Sequence, residues 1–366
     1  MYKAIPYDYK DRNRLYIDVR SESEFEKGHI IGAINLPILN DIERHEVGWI
    51  YKNASVEEAK KVGLQHGSAK LQIFFETVEK LRTEHPDKKI VFYCARGGYR
   101  SRSIALLMRS IDLPVYWLQG GYKSYRQEVL NALQDSEKLP TFIVVNGLSG
   151  VGKTHILMEL KKLGHPVLDL EGAANHKGSH LGAIGTSGKQ SVQSFENEIF
   201  DQLVKVDRFY CFVESESKRI GHVFVPNAIF DKLQGGIYIK VSASLDFRIS
   251  GLIEDYVSAP DFQHSFEAAL GKIKPYITKE LFAELKEHFK ADDYETLTQK
   301  LLLNHYDPIY YKSIDSHQHK AEFLVTNYET CANEIGEWIN REVLSQSIQP
   351  VHLHIDSAHS DQSPQS

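Results

Sequence analysis

Cysteine is nearly absent from this chain of 366 residues. Cys94, Cys211 and Cys331 are the only three, and they lie far apart. That spacing excludes a disulfide framework and a four-cysteine zinc site. It suits a reducing compartment, so a cytoplasmic location is expected. Long apolar runs are missing as well. None reaches the roughly 18 residues that span a bilayer, and Met1–Asp8 lacks the apolar core of a secretory signal, so no membrane partner is expected. Basic charge is not in excess: the formal net charge is −6, which speaks against a generic nucleic-acid coat protein. No internal repeat is visible. What is present, 42% hydrophobic and 25% charged residues, is ordinary for a globular protein and excludes a largely disordered or collagen-like chain. At roughly 150 residues per domain, the length predicts two domains or at most three.

Charge is spread unevenly. Residues 1–140 carry 22 Lys+Arg against 19 Asp+Glu, and the remainder 21 against 30, so the first part is mildly basic within an acidic whole. That part alternates short apolar runs with helical patterns. Leu15–Val19, Ile90–Tyr93 and Val115–Leu118 read as strands; Ser68–Glu84, with Leu71, Phe74, Phe75, Val78 and Leu81 at helical spacing, and Ser101–Ile111 read as helices. Alternating strands and helices predict an α/β fold with a parallel sheet covered on both faces. The polar stretch Asp135–Pro140 marks a boundary between a domain at 1–135 and a second at 139–344. In the second, strands are expected at Thr141–Val145, Pro166–Leu170, Phe209–Val213, Ile237–Val241 and Glu322–Thr326, with a mainly helical section at about 247–311. The tail 345–366 has no Lys or Arg and is rich in Ser, Gln and His. It reads as mobile, with His352, His354 and His359 solvated rather than metal-binding.

The first chemical motif is Cys94-Ala95-Arg96-Gly97-Gly98-Tyr99-Arg100-Ser101, placed between a strand and a helix. A helix N-terminus points unsatisfied N–H groups outward and carries partial positive charge. Gly97 and Gly98 let the loop curl so that these groups converge, Arg96 and Arg100 add fixed positive charge, and Ser101 completes the seat. The pattern combines a thiol nucleophile, Cys94, with a cradle for an oxyanion or phosphate above it.

Around this loop, Asp18-Val19-Arg20, Glu24-Phe25 and Gly28-His29-Ile30-Ile31-Gly32-Ala33-Ile34-Asn35-Leu36-Pro37 resemble the N-terminal signature of the rhodanese fold. Gly120-Gly121-Tyr122 resembles its C-terminal signature. The resemblance covers roughly residues 10–130 and makes Asp18 and Arg20 candidate supporting residues. It implies either a carrier of sulfur or selenium on the cysteine or a phosphatase. Five residues separate Cys94 from Arg100, one more than in the usual sulfurtransferase loop. That form resembles the rhodanese-like cell-cycle phosphatases and matches C-x5-R-[ST]. The longer loop makes room for a larger tetrahedral anion, so phosphatase and chalcogen transfer both stay open on the loop alone.

The second motif, Gly147-Leu148-Ser149-Gly150-Val151-Gly152-Lys153-Thr154, matches G-x-x-x-x-G-K-[ST] in full, after the apolar run Phe142–Val145 and before the helical run Ile156–Leu163. Such a loop wraps a phosphate chain with its backbone, Gly147, Ser149, Gly150 and Gly152 included. Lys153 reaches a terminal phosphate, and the Thr154 hydroxyl is placed for Mg²⁺. Glu214 and Glu216 stand at a strand end where they are suited to ligate a metal or to orient Lys153 or Arg219. Asp169 and Glu171 stand at another strand end. His176 and Lys177, in a Gly- and His-rich stretch, are candidate contacts for a phosphate or a nucleic-acid backbone. No metal ligand set is assigned beyond the possibility of Mg²⁺.

With both motifs on one chain, the sequence resembles the tRNA 2-selenouridine synthase family over about residues 10–340. The resemblance rests on the two loops, Gly120-Gly121-Tyr122-Lys123, His176-Lys177-Gly178-Ser179 with Gly182, Phe195-Glu196, Val213-Glu214-Ser215-Glu216-Ser217 with Ile220-Gly221, and Tyr306-Asp307-Pro308-Ile309-Tyr310. Ala95 and Lys177 stand where the family usually has a large residue and an arginine. The resemblance implies a rhodanese-like domain followed by a P-loop NTPase-like α/β domain. It implies a transferase acting on tRNA with 2-thiouridine at the wobble position: geranylation of the sulfur from geranyl diphosphate, then replacement of the geranylthio group by selenium from selenophosphate, itself supplied by a selenophosphate synthetase. These are co-substrates; no tightly bound cofactor is expected. Geranyl requires an apolar groove, for which the aromatics Phe247, Tyr256, Phe262, Phe266, Tyr276, Phe282, Phe289 and Tyr294 are on hand, although most suit a core. A rhodanese-fold phosphatase with an appended nucleotide-binding domain and an ATP-binding redox-sensing module are the competing readings.

Overall fold

The apolar runs of the sequence become the strands of two parallel sheets in a computed structural model that describes residues 4–342, apart from the side chain of Ser313. The expected mobile tail 345–366, with His352, His354 and His359, lies outside the described residues. One compact unit comprises the described residues up to Asn131 together with Ser191–Glu198. The other comprises Ala132–Gln190 and the described residues from Ile199 on.

The first unit runs β1 (Arg14–Asp18), α1 (Glu22–Glu26), β2 (Ile34–Asn35), α2 (Asp41–Asn53), α3 (Val56–Ser68), α4 (Leu71–Glu84), β3 (Lys89–Tyr93), α5 (Tyr99–Ser110), β4 (Val115–Trp117) and α6 (Gly121–Gln134). Its sheet has the order β2-β1-β3-β4, all pairs parallel. Ile17, Val19, Phe92 and Val115 pack against Phe74 and Val78 of α4 and Ile104 of α5. The helix expected at Ser68–Glu84 is α4, which starts three residues later, at Leu71. Ser68 ends α3, and the chain turns at Lys70, whose ammonium bonds to Glu43 and the Ile38 carbonyl. Helix α2 buries no residue, so no apolar stripe marks it in the sequence.

The second unit runs β5 (Thr141–Asn146), α7 (Lys153–Lys162), β6 (Val167–Leu168), α8 (Leu170–Ala174), α9 (Val192–Leu203), β7 (Tyr210–Glu214), β8 (Arg219–Ile220), β9 (Val223–Phe224), α10 (Asn227–Gln234), β10 (Ile237–Ser242), α11 (Leu245–Val257), α12 (Phe262–Ile273), α13 (Lys279–Lys290), α14 (Tyr294–Leu301), α15 (Asp307–Asp315), β11 (His319–Leu324) and α16 (Tyr328–Glu342). The start of α9 belongs to the first unit, where Arg126 pairs with Glu196 and Asn197 donates to the Tyr122 hydroxyl at 2.9 Å. The parallel sheet has the order β11-β10-β5-β7-β6, with β5 at its centre. Its core of Ile143, Val145, Ile156, Phe212, Ile239 and Ile335 is separate from a helical core built on Phe262, Phe266, Leu285, Leu297 and Leu301. The strand expected at Pro166–Leu170 shrinks to two residues because Asp169 caps α8, accepting from the Gly172 N–H at 2.7 Å. No helix among the described residues is long and apolar enough to cross a membrane.

Candidate functional site

Each sheet ends at its centre in a glycine-rich loop that opens a helix, the place where parallel sheets gather ligand-binding groups. In the first unit β3 delivers Cys94, which is 4% exposed. Ser101, in the first turn of α5, donates its hydroxyl to Cys94 Sγ at 3.2 Å. The loop is locked by the second glycine run. Tyr122 N–H donates to the Cys94 carbonyl at 2.8 Å and Lys123 N–H to the Ala95 carbonyl at 3.0 Å. A Cβ on Gly121 (φ +60°) would stand 2.2 Å from the Cys94 carbonyl oxygen and 2.3 Å from Gly97 N. Only glycine permits that approach, which explains why Gly97-Gly98 and Gly120-Gly121 occur together. Gly98 is the N-cap of α5, and no backbone acceptor among the described residues takes the N–H groups of Arg96–Arg100. They are available to an anion.

The two arginines of this loop part company. Arg96 is exposed and makes no ion pair among the described residues. Arg100 is committed to Glu24, at 2.6 Å and 3.1 Å. Burial alone would raise the Glu24 carboxyl, but Arg100 and Arg44 hold it below the usual carboxylate range. Asp18 and Arg20 form a buried ion pair at 2.6 Å. Arg20 also bonds the Gly28 carbonyl at 2.7 Å and lies 3.9 Å from the Tyr122 ring centroid. Their observed partners are packing groups that join the two halves of the rhodanese-like signature.

In the second unit β5 leads into the loop Gly147–Thr154. Gly152 caps α7 with φ +81°, and a Cβ there would run into the Tyr328 ring at 2.1 Å. Lys153 Nζ donates to the Gly147 carbonyl at 3.4 Å and lies 5.9 Å from the Tyr310 ring centroid. Burial pulls its ammonium down, but Glu214, Tyr310, Glu171 and Glu216 outweigh that and leave it raised. The carboxylates surround it. Thr154 Oγ1 lies 3.3 Å from both oxygens of Glu214 and 3.5 Å from Glu171. Glu171, Glu214 and Glu216 each place an oxygen within 4.8 Å of the others. Burial, then Glu171, pushes Glu214 well up; burial and neighbouring Glu216 push Glu171 to about 9; burial and Glu214 push Glu216 to about 7. A hydroxyl and three carboxylates form the all-oxygen donor set that suits Mg²⁺.

Arg248 binds the other side of the loop. It donates through Nε to the Ser149 carbonyl at 2.8 Å and pairs with Asp307 through both guanidinium nitrogens, at 2.5 Å and 3.0 Å, with both side chains buried. Asp307 and Tyr310 of the Tyr306-Asp307-Pro308-Ile309-Tyr310 motif thereby hold the phosphate loop and cover its lysine. Arg248 itself carries no sequence signal, being a lone arginine within a helical pattern.

A cavity of about 210 Å³ opens from this loop. Lys153, Thr154 and the three glutamates line it at one end; Leu252, Tyr256, Phe262, Phe266, Leu297 and Leu301 line it elsewhere. Of the aromatics noted in the sequence, Tyr256, Phe262, Phe266 and Tyr294 reach this cavity. Phe247 packs on the sheet core, Phe282 and Phe289 pack in the helical core, and Tyr276 is exposed. Lys177 lines the cavity, donating to the Asp255 carbonyl at 2.8 Å. His176 is a wedge: its ring fills the space of the missing Cβ atoms of Gly182 and Gly221, 2.7 Å from each such position. Burial, with His222 and Lys272, lowers it, so it is neutral near pH 7. Asp169 is a helix cap. Arg219 sits on the exposed face of β8, donating to the Gly221 carbonyl at 3.0 Å, and pairs with no carboxylate among the described residues. Cys211 is buried in β7, which pushes its thiol well up.

A rhodanese-like domain joined to a P-loop domain is the class that these two sheets and their loops define. The model described as the tRNA 2-selenouridine synthase AAA domain matches residues 140–344, and that of the rhodanese-like domain matches residues 7–128. Curated relatives carry the name tRNA 2-selenouridine synthase. One from Nitrosomonas eutropha is 35% identical over 66% of this chain and 63% of its own; one from Bdellovibrio bacteriovorus is 30% identical over 87% and 93%; one from Shewanella pealeana is 29% identical over 84% and 90%. The chain belongs to the tRNA 2-selenouridine synthase family. It spans 63% of the length of the Nitrosomonas relatives.

Proposed function

We propose that this protein is a transferase that converts wobble 2-thiouridine of tRNA to 2-selenouridine through an S-geranyl intermediate. The observation that carries the reading is a cavity of the second unit, in which a phosphate loop opens directly onto apolar and aromatic side chains. A prenyl diphosphate has that division of chemistry. In the first step the 2-thio sulfur attacks C1 of the geranyl group, the C–O bond to diphosphate breaks, and the N3 proton of the base is lost. Lys153 and the loop N–H groups stabilise the departing charge. Thr154 and Glu214 would hold Mg²⁺, which supplies further neutralisation of the diphosphate. Alkylation turns the sulfur into a better leaving group. In the second step the selenium of selenophosphate attacks C2 and geranylthiol leaves; water then cleaves the P–Se bond, releasing phosphate and returning the proton to N3.

The cysteine loop is the seat for selenophosphate, with Cys94, the free N–H groups and Arg96 around it. The phosphatase reading requires Arg100 to clamp a phosphate, whereas Arg100 is engaged by Glu24. Incubation with wobble-thiolated tRNA, geranyl diphosphate and selenophosphate, followed by nucleoside mass analysis, tests the assignment. Geranylated and selenated nucleosides are expected; turnover of an aryl phosphate with neither product overturns it.

A further inference from the structure

We propose that Phe266, backed by Phe289, forms the floor of the apolar end of this cavity and thereby sets the length of prenyl chain it accepts. The proposal rests on reading the cavity as a prenyl diphosphate site and adds the residue that selects among such donors. Helix α11 gives the cavity its direction. Arg248 holds the Ser149 carbonyl of the phosphate loop at 2.8 Å. One turn on, Leu252 abuts the loop, with its Cδ1 2.9 Å from a Cβ position built on Gly150. One further turn on, about 6 Å along the axis, the Tyr256 ring centroid lies 4.5 Å from Lys177 Nζ. Beyond the end of α11, α12 supplies Phe262 and, a turn later, Phe266.

Both phenylalanines line the cavity, yet Phe266 is only 2% exposed. Its other side is filled. Phe289 stacks on it at 4.7 Å and 28°, and Phe289 does not itself reach the cavity. Phe262 meets Phe289 at 6.1 Å and Tyr294 at 5.4 Å, both edge-on. Leu270 and Ile273 continue the same core. The apolar end is therefore closed by two layers of rings, while the diphosphate end is fixed by the loop. With both ends fixed, chain length becomes the selected quantity. A longer chain has to displace Phe266 into a close-packed core, and a shorter one leaves unfilled contacts.

The test is a competition in one tube between geranyl and farnesyl diphosphates for wobble-thiolated tRNA, read as the ratio of the two S-prenylated nucleosides, for the full chain and for Phe266→Leu and Phe266→Ala. A product ratio does not depend on the fraction of folded enzyme, and the leucine variant serves if the alanine variant fails to fold. The wild type is expected to favour the ten-carbon chain. Phe266→Ala is expected to raise the fifteen-to-ten ratio at least tenfold, with Phe266→Leu between. A wild type that uses both donors equally, or variants that keep the wild-type ratio while still transferring geranyl, would overturn the floor. A wild type that uses neither donor removes the prenyl reading, and the floor with it.

Discussion

The two loops follow one backbone plan, a central parallel strand, a glycine turn and a helix N-terminus, but they handle charge in opposite ways. The cysteine loop presents Arg96 and uncommitted N–H groups, and the acids near it are spent: Glu24 is paired with Arg100 and Asp18 with Arg20. The phosphate loop buries one ammonium among three carboxylates. An anion entering the first finds net positive charge. A diphosphate entering the second finds carboxylates that must be protonated or bridged by a cation first. Support differs as well: the first loop is locked by backbone contact with a second glycine run, the second by side chains of the helical section.

Five outcomes would break or sharpen this contrast. Cys94→Ser is expected to lower selenium incorporation into tRNA by at least about a thousandfold while geranylation stays measurable; loss of both would show that the two loops share one step. Lys153→Ala should weaken geranyl diphosphate binding by about a hundredfold, the scale of a charge-assisted contact of ~3 kcal/mol, and calorimetry with intact Cys94 alkylation as a control reads it. Asp307→Ala leaves Arg248 buried and unpaired, so thermal unfolding should show a loss of ~3–5 kcal/mol; an unchanged melt would mean that this pair does not brace the phosphate loop. Gly121→Ala should cost about 3 kcal/mol through its positive φ and the clash with the Cys94 carbonyl, seen by chemical denaturation. Glu24→Gln should cost only about 1 kcal/mol at neutral pH. The folded carboxyl of Glu24 lies below its unfolded value, so its contribution is full above roughly pH 4.3 and fades as pH falls through the lower folded value. The wild-type and variant denaturation curves should therefore draw together as the medium is acidified, and a gap that stays constant on acidification would contradict the ion-pair account.

Much of the site was legible because strand–loop–helix motifs are local. Cys94, Ser101, Lys153, Thr154, Glu214 and Glu216 all stand within a few residues of a glycine turn or strand end, and the structure places each at its loop. The failures have a common cause. Asp169 has the residue type of a ligand but caps a helix, because the strand before it is only two residues long. His176 reads as a phosphate contact but is a neutral wedge against two glycines, one of them distant in sequence. Arg219 shares a segment with Glu216, yet the turn into β8 points it elsewhere. Arg248 left no trace, because its partners, Ser149 and Asp307, are 99 and 59 residues away. The helices of residues 41–68 were missed because α2 buries nothing and α3 buries only Ala59 and Gly67.

By itself the sequence determined two α/β sheets, the two loops and the family, since backbone curl, helix N-termini and strand periodicity act over a few residues. Tertiary structure alone decided which charges are free and which are spent. Pairing of Arg100 with Glu24, crowding of Glu171 against Glu214 and Glu216, and closure of an apolar cavity by Phe266 over Phe289 all join residues that only packing brings together. Electrostatic and steric complementarity depend on distances of a few ångströms, and such distances between remote residues are set by the fold.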